Sequence, residues 1–385
     1  MQESWGSWND RVSRLGWEGA TERPMAWRSP WRHFDPITVL AALALSVYGL
    51  AAIYSATFAS LRLQGLAGST FMRRQLISLV VGVVAMLVIT LVDYRKLVAW
   101  AAVAYGATAL GLAAVLSPLG SQANGAQSWF SLGPFQLQPS EFAKIGLILT
   151  LAAILSGRGD RLTRAGPKRL ALALAALALI AGEILLQPDF GTMMVFVAIL
   201  FGMLLVSGIH LRWLLILVLV GSIGVAGMFK MNVLKQYQKE RLTAFVNPSA
   251  DASGRGFTGK GLFKGTQTNL SYVPEQNTDF IFTVVGEEFG FVGALVLLAL
   301  LGLLLWRGLR VAATAKDPTG ALIATGVISM LVFQTFINVG MTIGIMPITG
   351  IPLPFISHGG ASLISIAIAL GVLQSINIRQ GRAAW

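Results

Sequence analysis

Long apolar stretches separated by short polar ones run along the chain from residue 34 to residue 378. The apolar stretches lie at 34 to 58, 75 to 92, 95 to 117, 140 to 156, 168 to 187, 190 to 208, 211 to 230, 280 to 306, 319 to 343 and 357 to 378. Each is close to the roughly 20 residues that carry a helix across the hydrocarbon core of a bilayer. The pattern predicts an all-α integral membrane protein with about ten transmembrane helices. One polar stretch breaks the rhythm. Residues 231–279, between the seventh and eighth segments, are too many for a connector, since structureless loops above ~15 residues are usually functional or disordered. The predicted organisation is an N-terminal extension, 1–33, a single polytopic domain, 34–378, and a short tail, 379–385.

Composition agrees with this pattern. The 385 residues are 55% hydrophobic and only 12% charged, with a mean hydropathy of +0.70, which excludes an ordinary soluble domain. Short loops rich in Lys and Arg stay in the cytoplasm. One set of alternate loops holds Arg95, Lys96, the run from Arg158 to Arg169, Arg212, Arg307, Arg310, Lys316 and Arg379, whereas the short loops of the other set hold Arg62, Arg73 and Arg74. Both termini are therefore expected in the cytoplasm, with loop 231–279 outside. The formal charge of +12 is then a topology signal and an attraction to anionic membrane lipids, and does not point to nucleic acid. There is no cysteine, so disulfides and thiol chemistry are excluded. The first 33 residues mix Trp5, Trp8, Trp17, Trp27 and Trp31 with arginines and lack the apolar run of a signal peptide. They suit a membrane interface or a cytoplasmic tail.

With that orientation, Glu141, Glu183, Asp189, Glu240, Asp251, Glu275, Asp279, Glu287 and Glu288 fall on or near the outer half. Glu141 and Lys144 stand three residues apart in the first turn of the fourth segment, behind Gln138-Pro139-Ser140, and are expected to pair because a lone intramembrane charge is costly. Asp189, after Gln187-Pro188, is placed to cap the sixth segment. Thr278 and Asp279 are expected to open the eighth as cap and first-turn acid. Glu287 and Glu288 lie roughly 12 Å along that helix and need a partner or water. The flanking Gly286 and Gly290 suggest close approach of another helix. Within the long loop, Gly254 to Gly261 has P-loop spacing but lacks the Ser or Thr and the preceding strand. Its glycines, with Lys239, Arg241, Lys260 and Lys264, could still hold a phosphate. Asp251 is the loop carboxylate not obviously used as a cap, although an Asp three residues after Asn247-Pro248 is first of all a turn former, and residue chemistry by itself does not overturn that.

The ordered motifs resemble the SEDS family of FtsW, RodA and SpoVE. They run from Tyr54-Ser55-Ala56 through Gly125-Ala126-Gln127-Ser128-Trp129, Gln138-Pro139-Ser140-Glu141 and Gln187-Pro188-Asp189 to Arg241-Leu242 and Asn247-Pro248. Pro274-Glu275, Thr278-Asp279-Phe280-Ile281-Phe282, Glu287-Glu288 and the stretch from Asn338 to Ser362 complete the set. The resemblance implies a bacterial inner-membrane glycosyltransferase that polymerises lipid II, releases undecaprenyl pyrophosphate and works with a class B penicillin-binding protein. It implies Asp251 as the essential aspartate. By the same resemblance Glu141 with Lys144 takes the place of the family's pair at the top of the fourth segment. Asp189, Glu275, Asp279 and Glu287, on the outer half, are further candidates for the substrate cavity, and Arg241, Lys260 or Lys264, or a divalent ion such as Mg2+ or Mn2+ held by carboxylates, are candidates to meet the anionic leaving group. Gly265-Thr266-Gln267 and Tyr54-Ser55-Ala56 look more like the RodA branch.

Two departures stand out. The family usually carries a longer stretch after its aspartate, whereas here Ala252-Ser253-Gly254-Arg255-Gly256-Phe257 leads directly to Gly259-Lys260-Gly261. Ser128 also stands where the family often has Arg before the tryptophan. A lipid-substrate flippase and a scaffold that only activates its penicillin-binding partner are the rival readings.

Overall fold

The computed structural model describes residues 34–63, 65, 67–118, 120–123, 126–133, 135–156, 166–219, 256–265 and 275–379. The helices are α1 Pro36–Leu63, α2 Thr70–Leu91, α3 Tyr94–Ala99, α4 Ala101–Val115, α5 Pro139–Leu155, α6 Pro167–Leu186 and α7 Phe190–Val206. Helix α8 starts at 211 and continues through 219, and α9 Ile281–Thr314, α10 Pro318–Thr342 and α11 Gly360–Arg379 follow. Proline opens α1, α5, α6 and α10, where its missing N–H would have had no helical partner. Six helices among the described residues, α1, α2, α6, α9, α10 and α11, are long and apolar enough to cross a membrane, and α4 and α7 are shorter apolar helices.

Among the described residues the helices overlap the expected segments, 211–230 being described only to residue 219, with three corrections. The stretch 95–117 is not one span: it divides at Trp100 into α3 and α4, with the Asp93 carboxylate capping α3 through the Arg95 amide. The eighth segment is longer than expected, ending at Thr314, and is broken at Gly290. The fold is also not purely helical. Strands β1 Ser121–Ala123, β2 Ala126–Leu132 and β3 Phe135–Leu137 form an antiparallel sheet in the order β1-β2-β3. The β2–β3 turn uses Gly133 at φ +63°, a conformation open to glycine. Gln127 Nε2 donates to Ser117 O at 2.8 Å and ties the sheet to the end of α4. Backbone hydrogen bonds that an irregular loop would have left unmade at the membrane surface are thus satisfied within the sheet.

The most enclosed span is α11, with 78% of its apolar window buried inside the protein. It lies against α2, where a Cβ on Gly371 would come 2.7 Å from Met86 O, so only glycine permits that approach. One face of the bundle, rich in Lys and Arg, is closed by polar ties between helix ends. Arg307 Nε donates to Asp35 Oδ2 at 2.7 Å, and Gln374 donates to Asp35 O while accepting from Asp35 N. The Tyr94 hydroxyl donates to the Asp317 carboxylate, and Arg379 donates to Leu91 O at 2.7 Å. The opposite face carries the sheet, the 187–189 turn and the described loop residues, and is called the loop face.

Candidate active site

Helix α5 begins at the loop face, and its first turn is buried although it holds Ser140, Glu141 and Lys144. Lys144 Nζ donates to Glu141 Oε1 at 2.7 Å, and both side chains are almost wholly enclosed. The expected pair therefore forms. Ser365 of α11 donates to the other carboxylate oxygen at 3.0 Å. In so dry a setting the ion pair survives because its lone pairs and protons are met by good geometry.

Asp189 joins this group. It caps α7 as expected, Oδ1 accepting from the Thr192 amide at 3.0 Å, and Oδ2 accepts a longer, 3.4 Å bond from Gln138 Nε2. Removal from water pushes its carboxyl pKa up, while the Thr192 amide and the charge of Lys144 pull it back and Glu141 adds to the rise. Lys144 and Glu141 thus act on the charge of Asp189 at the loop face. Local spacing did not reveal two further members of the buried polar layer. The Ser140 hydroxyl and both amide atoms of Gln334 on α10 are buried with no hydrogen-bond partner among the described residues. Gln334 is entirely enclosed.

A second group forms at the break in α9. Lys260 Nζ donates to Glu287 Oε1 at 2.9 Å. Ser55 Oγ donates to Glu288 Oε1 at 2.7 Å and accepts the Phe263 amide at 2.8 Å. One expectation fails here. Gly286 meets nothing within 4 Å, and Gly290 faces the backbone of residues 257–259, so this glycine pair admits a loop and not a helix. Lys260 is paired with a carboxylate, while Lys264 is exposed.

Glu275 and Asp279 belong to a turn beside these groups. Glu275 has φ +53°, and its carboxylate accepts from the Thr278 hydroxyl at 3.1 Å. Neither Thr278 nor Asp279 caps α9, whose N-cap is Phe280 with no side-chain bond. Their carbonyls serve instead: Thr278 O accepts from Ser357 Oγ at 2.6 Å, and Asp279 O accepts from Asn338 Nδ2 at 2.8 Å. Asn338 also donates to Ile351 O, joining the turn to the segment between α10 and α11. Nearby, His358 is held neutral, its pKa pushed down to about 4 by burial and by Arg74. Asp251 and Arg241 lie outside the described residues. Among the described residues no three His, Asp or Glu side chains gather as a metal site.

A bundle with a buried ion pair and a capping aspartate converging at one face is the architecture of a polytopic membrane protein with a polar site on one side. Residues 36–381 match the FtsW/RodA/SpoVE family model, described as cell cycle protein, and the chain belongs to that family. Stage V sporulation protein E of Bacillus subtilis is 36% identical over 361 residues, 89% of this chain and 96% of the relative. The peptidoglycan glycosyltransferase MrdB of Escherichia coli K12 is 34% identical over 363 residues, 90% of this chain and 94% of the relative. Among solved structures, the rod shape determining protein RodA of Thermus thermophilus is similar with a TM-score of 0.69 and 31% identity, over 91% of this chain and 99% of that one. A chain from a peptidoglycan synthase complex, solved to explain how polymerization and crosslinking are coordinated, gives a TM-score of 0.73 at 32% identity, over 91% of this chain and 99% of that one.

Proposed function

We propose that the protein is a peptidoglycan glycosyltransferase that polymerises lipid II at the outer surface of the bacterial inner membrane. The observation that carries this reading is the convergence of Glu141, Lys144 and Asp189 at the loop face of a bundle whose relatives include named peptidoglycan glycosyltransferases. In the proposed reaction the 4-hydroxyl of an acceptor sugar attacks C1 of a donor sugar. The C1–O bond to undecaprenyl pyrophosphate breaks, and a single displacement converts an α-linked pyrophosphate into a β-1,4 glycoside.

Asp251 is assigned as the general base that accepts the proton of the attacking hydroxyl, which requires it within hydrogen-bond reach of that oxygen. The leaving pyrophosphate is strongly anionic, and fixed positive charge at its position lowers the barrier. Arg241 and Lys264 are assigned to it, because Lys260 is paired with Glu287. Glu141, Lys144 and Asp189 form the buried polar floor against which the sugars bind. A divalent ion such as Mg2+ or Mn2+, held by carboxylates, would supply further positive charge to the leaving pyrophosphate. The partner is a class B penicillin-binding protein, both chain termini lie in the cytoplasm, and loop 231–279 faces outward. The RodA-like motifs at 54–56 and 265–267 favour a role in cell elongation and rod shape.

The test is glycan-strand formation from labelled lipid II by the purified protein, with Asp251→Asn in parallel and the partner's transpeptidase blocked. Polymer from the parent and none from the variant is the expected result. A variant as active as the parent would remove Asp251 as the base, and an inactive parent would favour a flippase or a scaffold.

A further inference from the structure

Helix α5 begins at the loop face and α10 ends there, where Asn338 donates to Asp279 O, so the two helices run in opposite directions. Their register is fixed by one close approach: a Cβ on Gly326 of α10 would lie 2.9 Å from Ile148 Cγ2 of α5. Positions four apart share a helix face, so each helix presents a row to the other. From that contact towards the loop face the α5 row runs Ile148, Lys144, Ser140. The α10 row runs Gly326, Met330, Gln334, with Asn338 one turn further. Eight residues span about 12 Å on either helix, so Ser140 and Gln334 reach the same depth. Every member of both rows is buried.

The polar halves of these rows are not balanced by protein. Ser140 Oγ, both amide atoms of Gln334 and Asn338 Oδ1 are enclosed without a hydrogen-bond partner among the described residues. Lys144 carries three N–H donors and gives one of them to Glu141, at 2.7 Å. Folded proteins rarely leave even one buried amide or hydroxyl unpaired, because its lost hydration is then uncompensated. The demands here are of both kinds. Lys144 Nζ and Gln334 Nε2 need acceptors, whereas Gln334 Oε1 and Asn338 Oδ1 need donors. Turning the Gln334 amide over leaves that balance unchanged. A cation would satisfy only the oxygens and would be repelled by Lys144, and an anion would satisfy only the donors. The group that serves them all both donates and accepts, and is small enough to be enclosed.

We infer that Ser140, Lys144, Gln334 and Asn338 form a binding site for buried water between α5 and α10. Water held there accepts the ammonium protons that Glu141 leaves over, and so helps keep the Glu141–Lys144 pair ionised inside the bundle. A buried water makes about three hydrogen bonds, a number that four neighbouring side chains can supply. Gln334 grips it in both senses, as donor through Nε2 and as acceptor through Oε1.

The test is radiolytic labelling of the full chain in detergent, read by mass spectrometry. An X-ray pulse splits bound water into hydroxyl radicals, which oxidise the side chain beside them. Met330 lies opposite Lys144 in this register and is only 1% exposed, so radicals from bulk solvent do not reach it. Met203 of α7, equally enclosed and packed against Gly326, reports the apolar end of the contact. In the parent, Met330 should take up oxygen about tenfold faster than Met203, and in Gln334→Leu it should fall to the Met203 rate. Equal rates in the parent, or a fast Met330 rate that survives Gln334→Leu, overturn the inference. If Gln334→Leu does not fold, a structure of the parent that resolves ordered solvent decides. A solvent peak within hydrogen-bond reach of the Gln334 amide and of Ser140 or Lys144 supports the site, and protein atoms filling those bonds overturn it.

Discussion

The hydroxyl of Ser365 on α11 donates to Glu141 Oε2 at 3.0 Å, while Lys144 occupies Oε1 of the same carboxylate. A carboxylate of the loop-face floor is thereby tied to the most enclosed helix as well as to its own. Lys144 is among the largest fully buried side chains described. Removing one partner of such a pair leaves an uncompensated charge in a dry site. Lys144→Met is expected to cost about 3–5 kcal/mol. Glu141→Gln combined with Lys144→Met should cost less than Lys144→Met alone. Thermal unfolding of the purified variants in one detergent checks the order.

Gly286 and Gly290 lie on the same stretch of α9 and should respond in opposite ways to one methyl group. At Gly290 the methyl meets the Gly259 amide and the backbone sits at φ +67°, so Gly290→Ala should destabilise by about 1–3 kcal/mol. It should also speed hydrogen exchange at the Lys260 and Gly261 amides. Gly286 has open space around it, so Gly286→Ala should be neutral or stabilising by up to about 1 kcal/mol. Hydrogen-exchange mass spectrometry of residues 256–265 separates the two.

His358 gives the protein an acid-side weakness. Its pKa falls from the ordinary 6.5 to about 4 through burial and the nearby Arg74. Between those values the unfolded chain binds a proton that the folded chain does not. Stability from this group is therefore complete above about 6.5 and is lost as the pH falls towards 4. The melting temperature should drop across that window, and the drop should be shallower in His358→Gln.

The tie between Asp35 and Arg307 should behave as a separate acid-sensitive latch. Burial raises the Asp35 carboxyl, but the hydrogen bonds and charge supplied by Arg307 and Thr38 outweigh it and leave the pKa lowered. Its contribution is present above the ordinary value of 3.8 and is lost below it. Arg307→Met should destabilise by about 2–4 kcal/mol near neutral pH, where it strands a buried carboxylate. Thermal melts near neutral pH, comparing the parent, Arg307→Met and Asp35→Asn/Arg307→Met, check this. The double variant should recover part of the loss.

What the sequence disclosed was local. Proline followed by Glu141 and Lys144 marks both a helix start and a pair on one face, and Asp189 after Pro188 marks a cap; each signal spans a few residues. Ser365 carries no such sign, since its partner Glu141 lies on a helix far away in the chain. The Gly286 and Gly290 spacing misled because the neighbour at Gly290 is a loop segment about 30 residues earlier. Thr278 and Asp279 have the side chains of helix starters, yet neither caps α9: the Thr278 hydroxyl turns back to Glu275, and the two carbonyls accept from Ser357 and Asn338. Hydropathy likewise joined α3 to α4, since the turn at Trp100 does not interrupt the apolar run, and it passed over the sheet at 121–137. Asp251 and Arg241, which lie outside the described residues, rest on motif resemblance alone.

The enclosure of α11 has a consequence for biogenesis. This helix leaves the ribosome after every other described span, yet α2 and Glu141 of α5 depend on it for their inner contacts. Spans already threaded into the bilayer must wait, with glycine-lined faces and a half-satisfied carboxylate, until the final hairpin arrives. The described bundle therefore cannot close around Glu141 until α11 has been inserted.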